Sequence, residues 1–290
     1  ARFWFVALAL AACGRPQQGP VAGGVLPDTG LRAPDGSVVP AGPLGASILR
    51  GRAILLASRD SLPGHAGSAL RCTSCHLGDG REPAGMPLTG VYARFPQFRW
   101  RTATVQRLED RINDCLVRSL NGRALAWADP SMRDIVAYLA FLSRGVAVGD
   151  STGLPIDRAR SGDTVAGARV YLQRCARCHG ADGAGAATGV ATYPPLWGSM
   201  SFNVGAGMTR IGTLAAFVRR NMPRDMPGTL GETDAINVAA YVASRPRPDF
   251  AGKEHDWPCG HRPPDVPYAT IVVSCSGGTQ LQHPFDRLHQ

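Results

Sequence analysis

Hydrophobic positions recur with a helical period in four stretches of the chain, residues 47–58, 131–143, 163–174 and 232–244, and Gly/Pro-rich segments separate them. In 131–143 one face collects Ile135, Tyr138, Leu139 and Leu142; in 232–244 it collects Ile236, Val238, Ala240 and Tyr241. The order helix, Gly/Pro-rich loop, distal helix, terminal helix occurs once in each half, so the pattern predicts an all-α chain built as an internal repeat. Strand-like alternation is confined to 269–273. The expected divisions are a leader 1–13, a flexible tether 14–45, a first domain 46–148, a linker 149–162 carrying Gly149, Gly153 and Pro155, a second domain 163–250 and an irregular extension 251–290.

The leader changes the picture of where the chain works. Arg2 precedes an apolar run, 3–12, that is too short to cross a bilayer and is followed at once by Cys13 and Gly14. This is the pattern of an export signal. Leu10-Ala11-Ala12-Cys13 resembles a bacterial lipobox, in which Cys13 becomes the lipidated N-terminus; the alternative is a plain secretory signal with a chance cysteine. Both place the chain in the periplasm, where disulfides persist, and the first holds it to a membrane.

Composition sharpens the chemistry. The 290 residues include 8 Cys and 31 Lys plus Arg against 22 Asp plus Glu, and Lys253 is the only lysine. The excess positive charge is therefore carried by guanidiniums, which stay protonated and present paired N–H donors to oxyanions. Lysine chemistry such as a Schiff base is nearly excluded. The arginines are scattered, so nucleic-acid binding does not account for them.

Two matches to C-x-x-C-H, Cys72-Thr73-Ser74-Cys75-His76 and Cys175-Ala176-Arg177-Cys178-His179, carry the most specific signal. On a short helical turn the two thiols reach two carbons of one porphyrin, and the adjacent imidazole is carried under the ring to ligate iron. A single zinc site built from the four cysteines would leave both histidines unexplained. Each motif thus opens its own haem domain, and the fold expected is two tandem cytochrome c-type domains holding two covalently bound haem c groups.

The sixth iron ligand distinguishes the halves. In the second, Met222-Pro223 follows the apolar segment 214–218 and lies 43 residues beyond His179, which favours Met222 over its neighbours Met208 and Met226. The first half has no Met-Pro at that distance; Met86-Pro87 comes too soon. It offers Cys115, 39 residues beyond His76, either as a buried apolar thiol or as a ligand. Arg111 and Arg118, with Arg99 and Arg101 upstream, favour the thiolate, and at helical spacing Arg111 and Ser119 share a face with Cys115.

These residues resemble a known family, the dihaem thiosulfate dehydrogenases, and more distantly the A subunit of the Sox sulfur-oxidation cytochromes. The resemblance rests on 72–77, on Arg111-Ile112-Asn113-Asp114-Cys115 through Arg118-Ser119-Leu120-Asn121-Gly122, on 134–143, on Gly205-Ala206-Gly207-Met208 and Asn221-Met222-Pro223, and on Pro246-Arg247-Pro248 with Asp256-Trp257-Pro258. It implies that His76 and Cys115 ligate a catalytic iron, that Arg101, Arg111 and Ser119 line a substrate pocket, and that His179 and Met222 ligate a second haem passing electrons to an acceptor such as another cytochrome c. It also implies that two thiosulfate ions are joined to tetrathionate, reversibly in some members. Some members place a lysine beside the distal methionine; here Asn221 stands there, so a His/Met second haem in both oxidation states is expected.

Two other functions fit the same motifs: a lipid-tethered dihaem electron carrier without catalysis of its own, and a Sox-type subunit acting on a sulfur carrier protein. The tail after Tyr268 matches nothing in the family. Its Cys275 and Cys259 either close a disulfide that pins the tail to the second domain or remain free thiols.

Overall fold

The structure, a computed structural model, describes residues 34–148, 161–188, 191–273 and 275. The leader 1–13 with Cys13, the tether as far as residue 33 and residues 149–160 of the linker lie outside the described residues. The helices are α1 (Gly42–Leu56), α2 (Ser58–Ser61), α3 (Leu108–Asp114), α4 (Pro130–Leu142), α5 (Thr164–Arg174), α6 (Ala176–His179), α7 (Ile211–Asn221) and α8 (Glu232–Ala243). α1 begins at Gly42, inside the stretch read as tether, because the fixed φ of Pro43 suits a first helical turn.

The four periodic segments become α1, α4, α5 and α8, and they pair the same way in both halves, α1 on α4 and α5 on α8. The crossings repeat in detail. A Cβ at Gly51 would lie 2.0 Å from the Asp134 carbonyl oxygen and 2.9 Å from Tyr138 Cβ; at Gly167 it would lie 2.0 Å from the Asn237 carbonyl oxygen and 2.9 Å from Tyr241 Cβ. Only glycine lets the two backbones approach this far. At the first crossing Arg50 and Ser47 donate to the Asp134 carboxylate at 2.7 and 2.5 Å.

Two short antiparallel hairpins depart from the all-α expectation: β1 (Gln97–Arg99) with β2 (Thr104–Gln106), and β3 (Ala186–Thr188) with β4 (Ala191–Tyr193). The alternating segment 269–273 is not a strand. It runs extended along the molecule on two backbone bonds, Ile271 N to Glu254 O at 2.7 Å and Val273 N to Pro258 O at 2.7 Å, with Ile271 and Val272 exposed.

One hydrophobic core runs through both halves, from Ile48, Leu116 and Tyr138 to Phe202, Ala215 and Val238. Buried polar contacts cross with it. Asn203 donates its Nδ2 hydrogens to Val117 O at 2.8 Å and Asn121 Oδ1 at 3.1 Å, and Arg118 reaches Asp256 in the extension through two bonds of 2.8 Å. The halves are therefore held in a fixed relation around the segment 115–121.

Candidate active site

Cys72 starts a short 3₁₀ turn, Cys72–Ser74, whose amide donates to the buried Ser58 hydroxyl at 3.0 Å. Burial pushes the Cys72 thiol up to about 11 and the Cys75 thiol up to about 12, so both are neutral thiols near pH 7. His76 donates from Nδ1 to the Met86 carbonyl at 2.6 Å. That bond fixes the tautomer and leaves Nε2 free to ligate a metal.

Cys115 is treated differently. It begins a π-helical turn, Cys115–Ser119, that follows α3 directly and is closed by Leu120 N donating to Cys115 O at 2.9 Å. Such wide turns concentrate at functional sites, where they re-aim side chains. Arg111 Nη1 donates to Cys115 Sγ at 2.9 Å. Burial pushes this thiol up too, but the Arg111 guanidinium and the facing His76 imidazole outweigh it and bring it down to about 7. His76 and Cys115 thus oppose one another with Cys72 and Cys75 alongside, and this donor set suits one thioether-attached iron porphyrin with His/Cys axial ligation.

Beside this centre lies a cavity of about 310 Å³. Arg111 both lines it and holds the Cys115 sulfur, and Ser119 and Arg101 line it too. Arg101 is held by the second half: its Nη1 donates to Gly205 O at 2.9 Å, and its guanidinium stacks 4.6 Å from the Trp257 ring. Trp257 N in turn donates to Arg101 O at 2.7 Å.

Three further arginines line the cavity. Arg99 sits on β1, its pKa pushed down to about 10 by burial and by the neighbouring Arg111. Arg210 is paired with Asp265 at 2.8 Å. Arg118 is buried, bonded twice to Asp256 and stacked 4.2 Å from the Phe250 ring, and Tyr268 donates its hydroxyl to the same carboxylate at 2.7 Å. Sequence reasoning missed Arg210, Trp257 and the extension's part in the site. The phrase Asp256-Trp257 carried the signal without showing that it folds back on the first half.

The second motif repeats the first. Cys175 precedes α6, its thiol pushed up to about 11 by burial, and Tyr171 donates its hydroxyl to Gly180 O at 2.6 Å. His179 donates from Nδ1 to Pro194 O at 2.9 Å, and burial lowers its pKa, which favours the neutral imidazole. Among the three methionines, Met226 is 45% exposed, Met208 is buried and Met222, directly after α7, packs against the core. Cys259 and Cys275 form a disulfide that ties residue 275 back to the Trp257 turn. Among the described residues no group of three or more His, Cys, Asp or Glu side chains is placed to hold a metal ion by itself.

Two family models match the chain, one in each half. Residues 63–148 match the SoxA/TsdA cytochrome c domain and residues 162–242 match cytochrome c oxidase, cbb3-type, subunit III. The chain is 43% identical over 234 residues to the thiosulfate dehydrogenase of Allochromatium vinosum, an alignment covering 77% of this chain and 87% of that one. It is 37% identical over 242 residues to the thiosulfate dehydrogenase of Psychrobacter arcticus, covering 81% and 74%. Among solved structures it is similar to the thiosulfate dehydrogenase TsdBA of Marichromatium purpuratum, with a TM-score of 0.71 and 30% identity over 76% of this chain; it spans half the length of that longer chain.

Proposed function

The chain belongs to the thiosulfate dehydrogenase family, a dihaem cytochrome with two covalently bound haem c groups, and from that premise we propose that it joins two thiosulfate ions into one tetrathionate. The observation that carries this reading is Arg111, which lines an arginine-rich cavity and holds the sulfur of Cys115 at 2.9 Å.

Two dianions at contact repel by roughly 1 to 4 kcal/mol per unit charge pair, depending on dielectric. Fixed cations are needed to bring them together, and Arg99, Arg101 and Arg111 supply them already oriented. The Ser119 hydroxyl adds a neutral donor. The Cys115 thiolate bonds to the outer sulfur of one thiosulfate as two electrons leave; the second thiosulfate then attacks that sulfur, releasing tetrathionate and restoring the thiolate. A haem beside Cys115 would supply a one-electron acceptor, so of the two electrons one would be taken there and one by the second haem. His76 and Cys115 would hold that haem, and His179 and Met222 would hold the second, which would supply the route for electrons to an external acceptor such as another cytochrome c. A thioether ligand raises the second potential and favours this outward flow.

The export pattern at 1–13 supports a periplasmic location with Cys13 as a lipid anchor. Cys115→Gly tests the catalytic reading: thiosulfate-dependent reduction of ferricyanide is expected to vanish while both haems stay attached. Unchanged turnover would make the protein an electron carrier, and turnover only with an added sulfur carrier protein would make it a Sox-type subunit.

A further inference from the structure

The loop 82–86 is bonded on one side to His76 and on the other to Asn221 and Arg224, the residues that flank Met222-Pro223. Its Met86 carbonyl accepts the Nδ1 hydrogen of His76 at 2.6 Å. Two residues earlier, the Ala84 carbonyl accepts from Nδ2 of Asn221 at 2.9 Å, across the boundary between the halves. Glu82 is bound to Arg224 through a bond of 2.7 Å. The loop between these anchors has little freedom: Gly85 N donates to Glu82 O at 3.0 Å, Leu77 N donates to Gly85 O at 2.9 Å, and a Cβ at Gly85 would lie 2.5 Å from Leu77 Cβ. The Ala84 and Met86 carbonyls therefore move together.

Asn221 is the last residue of α7, has no solvent exposure and directly precedes Met222. Its second Nδ2 hydrogen goes to Phe217 O at 2.9 Å, so the amide cannot be turned round without facing two carbonyls with an oxygen. Its Oδ1 is buried with no hydrogen-bond partner. An orphaned buried acceptor is costly, so this side chain is kept for its two donors.

We propose that Asn221 is a positioning residue for the first haem as well as the second: through Ala84 and Met86 it holds the imidazole of His76 while fixing the backbone that presents Met222. The strength of the His76 Nδ1–H···O bond sets how much electron density the ring gives its iron. A shift at the end of α7 is thereby felt at the other centre.

The test is an EPR-monitored redox titration of the full-length dihaem protein carrying Asn221→Ala, and separately Arg224→Gln, which breaks the loop's exposed anchor and leaves the core intact. Loosening the loop lengthens the His76 bond. The reduction potential of the His76-ligated haem is expected to rise and the g values of its low-spin signal to move, more in Asn221→Ala than in Arg224→Gln. A shift in either variant supports the coupling, and if Asn221→Ala does not fold, Arg224→Gln decides. The inference is overturned if the first haem titrates and resonates as in wild type, even where the second haem changes. The readout is independent of turnover, so it stands or falls separately from the thiosulfate chemistry.

Discussion

At the scale of single residues, the sequence could place arginines near Cys115 but could not sort them. Arg111 and Arg118 flank Cys115 in the chain, yet one bonds its sulfur and the other is buried against Asp256. Burial and partners make that distinction, and neither is written in spacing. Arg99 stands apart, a cavity-lining guanidinium whose pKa burial and neighbouring arginines depress to about 10, still charged at neutral pH. A charged group contacting an anion in such a site is worth about 1.5–3 kcal/mol. Arg99→Gln is expected to raise KM for thiosulfate by roughly ten- to a hundredfold, with a smaller change in kcat and both haems unperturbed. Steady-state kinetics with ferricyanide check this, and an unchanged KM would remove Arg99 from the substrate contacts.

Among the elements, the four periodic helices were legible because each buries an apolar face, α1 against α4, and α8 against both α5 and α7. What was not legible depends on the other half of the chain or on backbone detail. The π-helical turn at Cys115–Ser119 is recognisable only from its Leu120 N to Cys115 O bond, and β1 and β2 are three residues each. The segment 269–273 shows the opposite error, an alternation that finds backbone partners in the Glu254–Pro258 loop instead of a sheet. The crossings are the sharpest shared feature of the repeat. Adding a methyl at Gly51 or Gly167 would drive it to 2.0 Å from a carbonyl oxygen, so the helices must part. Gly51→Ala and Gly167→Ala are each expected to cost about 1–3 kcal/mol. Thermal melts followed at the two haems should show Gly51→Ala weakening the first domain first and Gly167→Ala the second; identical melts for both would mean the halves unfold as one unit.

Across the whole molecule, the extension turns two haem domains into one site. Asp256 is fully buried and accepts from Arg118 of the first half and Tyr268 of the tail, with Arg101 at 3.9 Å. Removing that carboxylate takes away the two 2.8 Å bonds of the buried Arg118 and leaves it the longer pairing with Asp114 at 3.7 Å, and breaking a buried pair in this way typically costs up to about 3–5 kcal/mol, so Asp256→Asn is expected to lower Tm. Replacing the charge as well is a different matter, because a buried ion pair exchanged for an apolar and a neutral polar group is often close to neutral. Arg118→Met with Asp256→Asn is therefore expected to recover most of the lost stability, the amide oxygen still accepting from Tyr268. That double variant also separates scaffolding from binding. If Arg118 serves only to join the halves, the stabilised double variant keeps its KM for thiosulfate; a raised KM at recovered Tm would mean that Arg118, for all its burial, also meets the substrate in the cavity it lines.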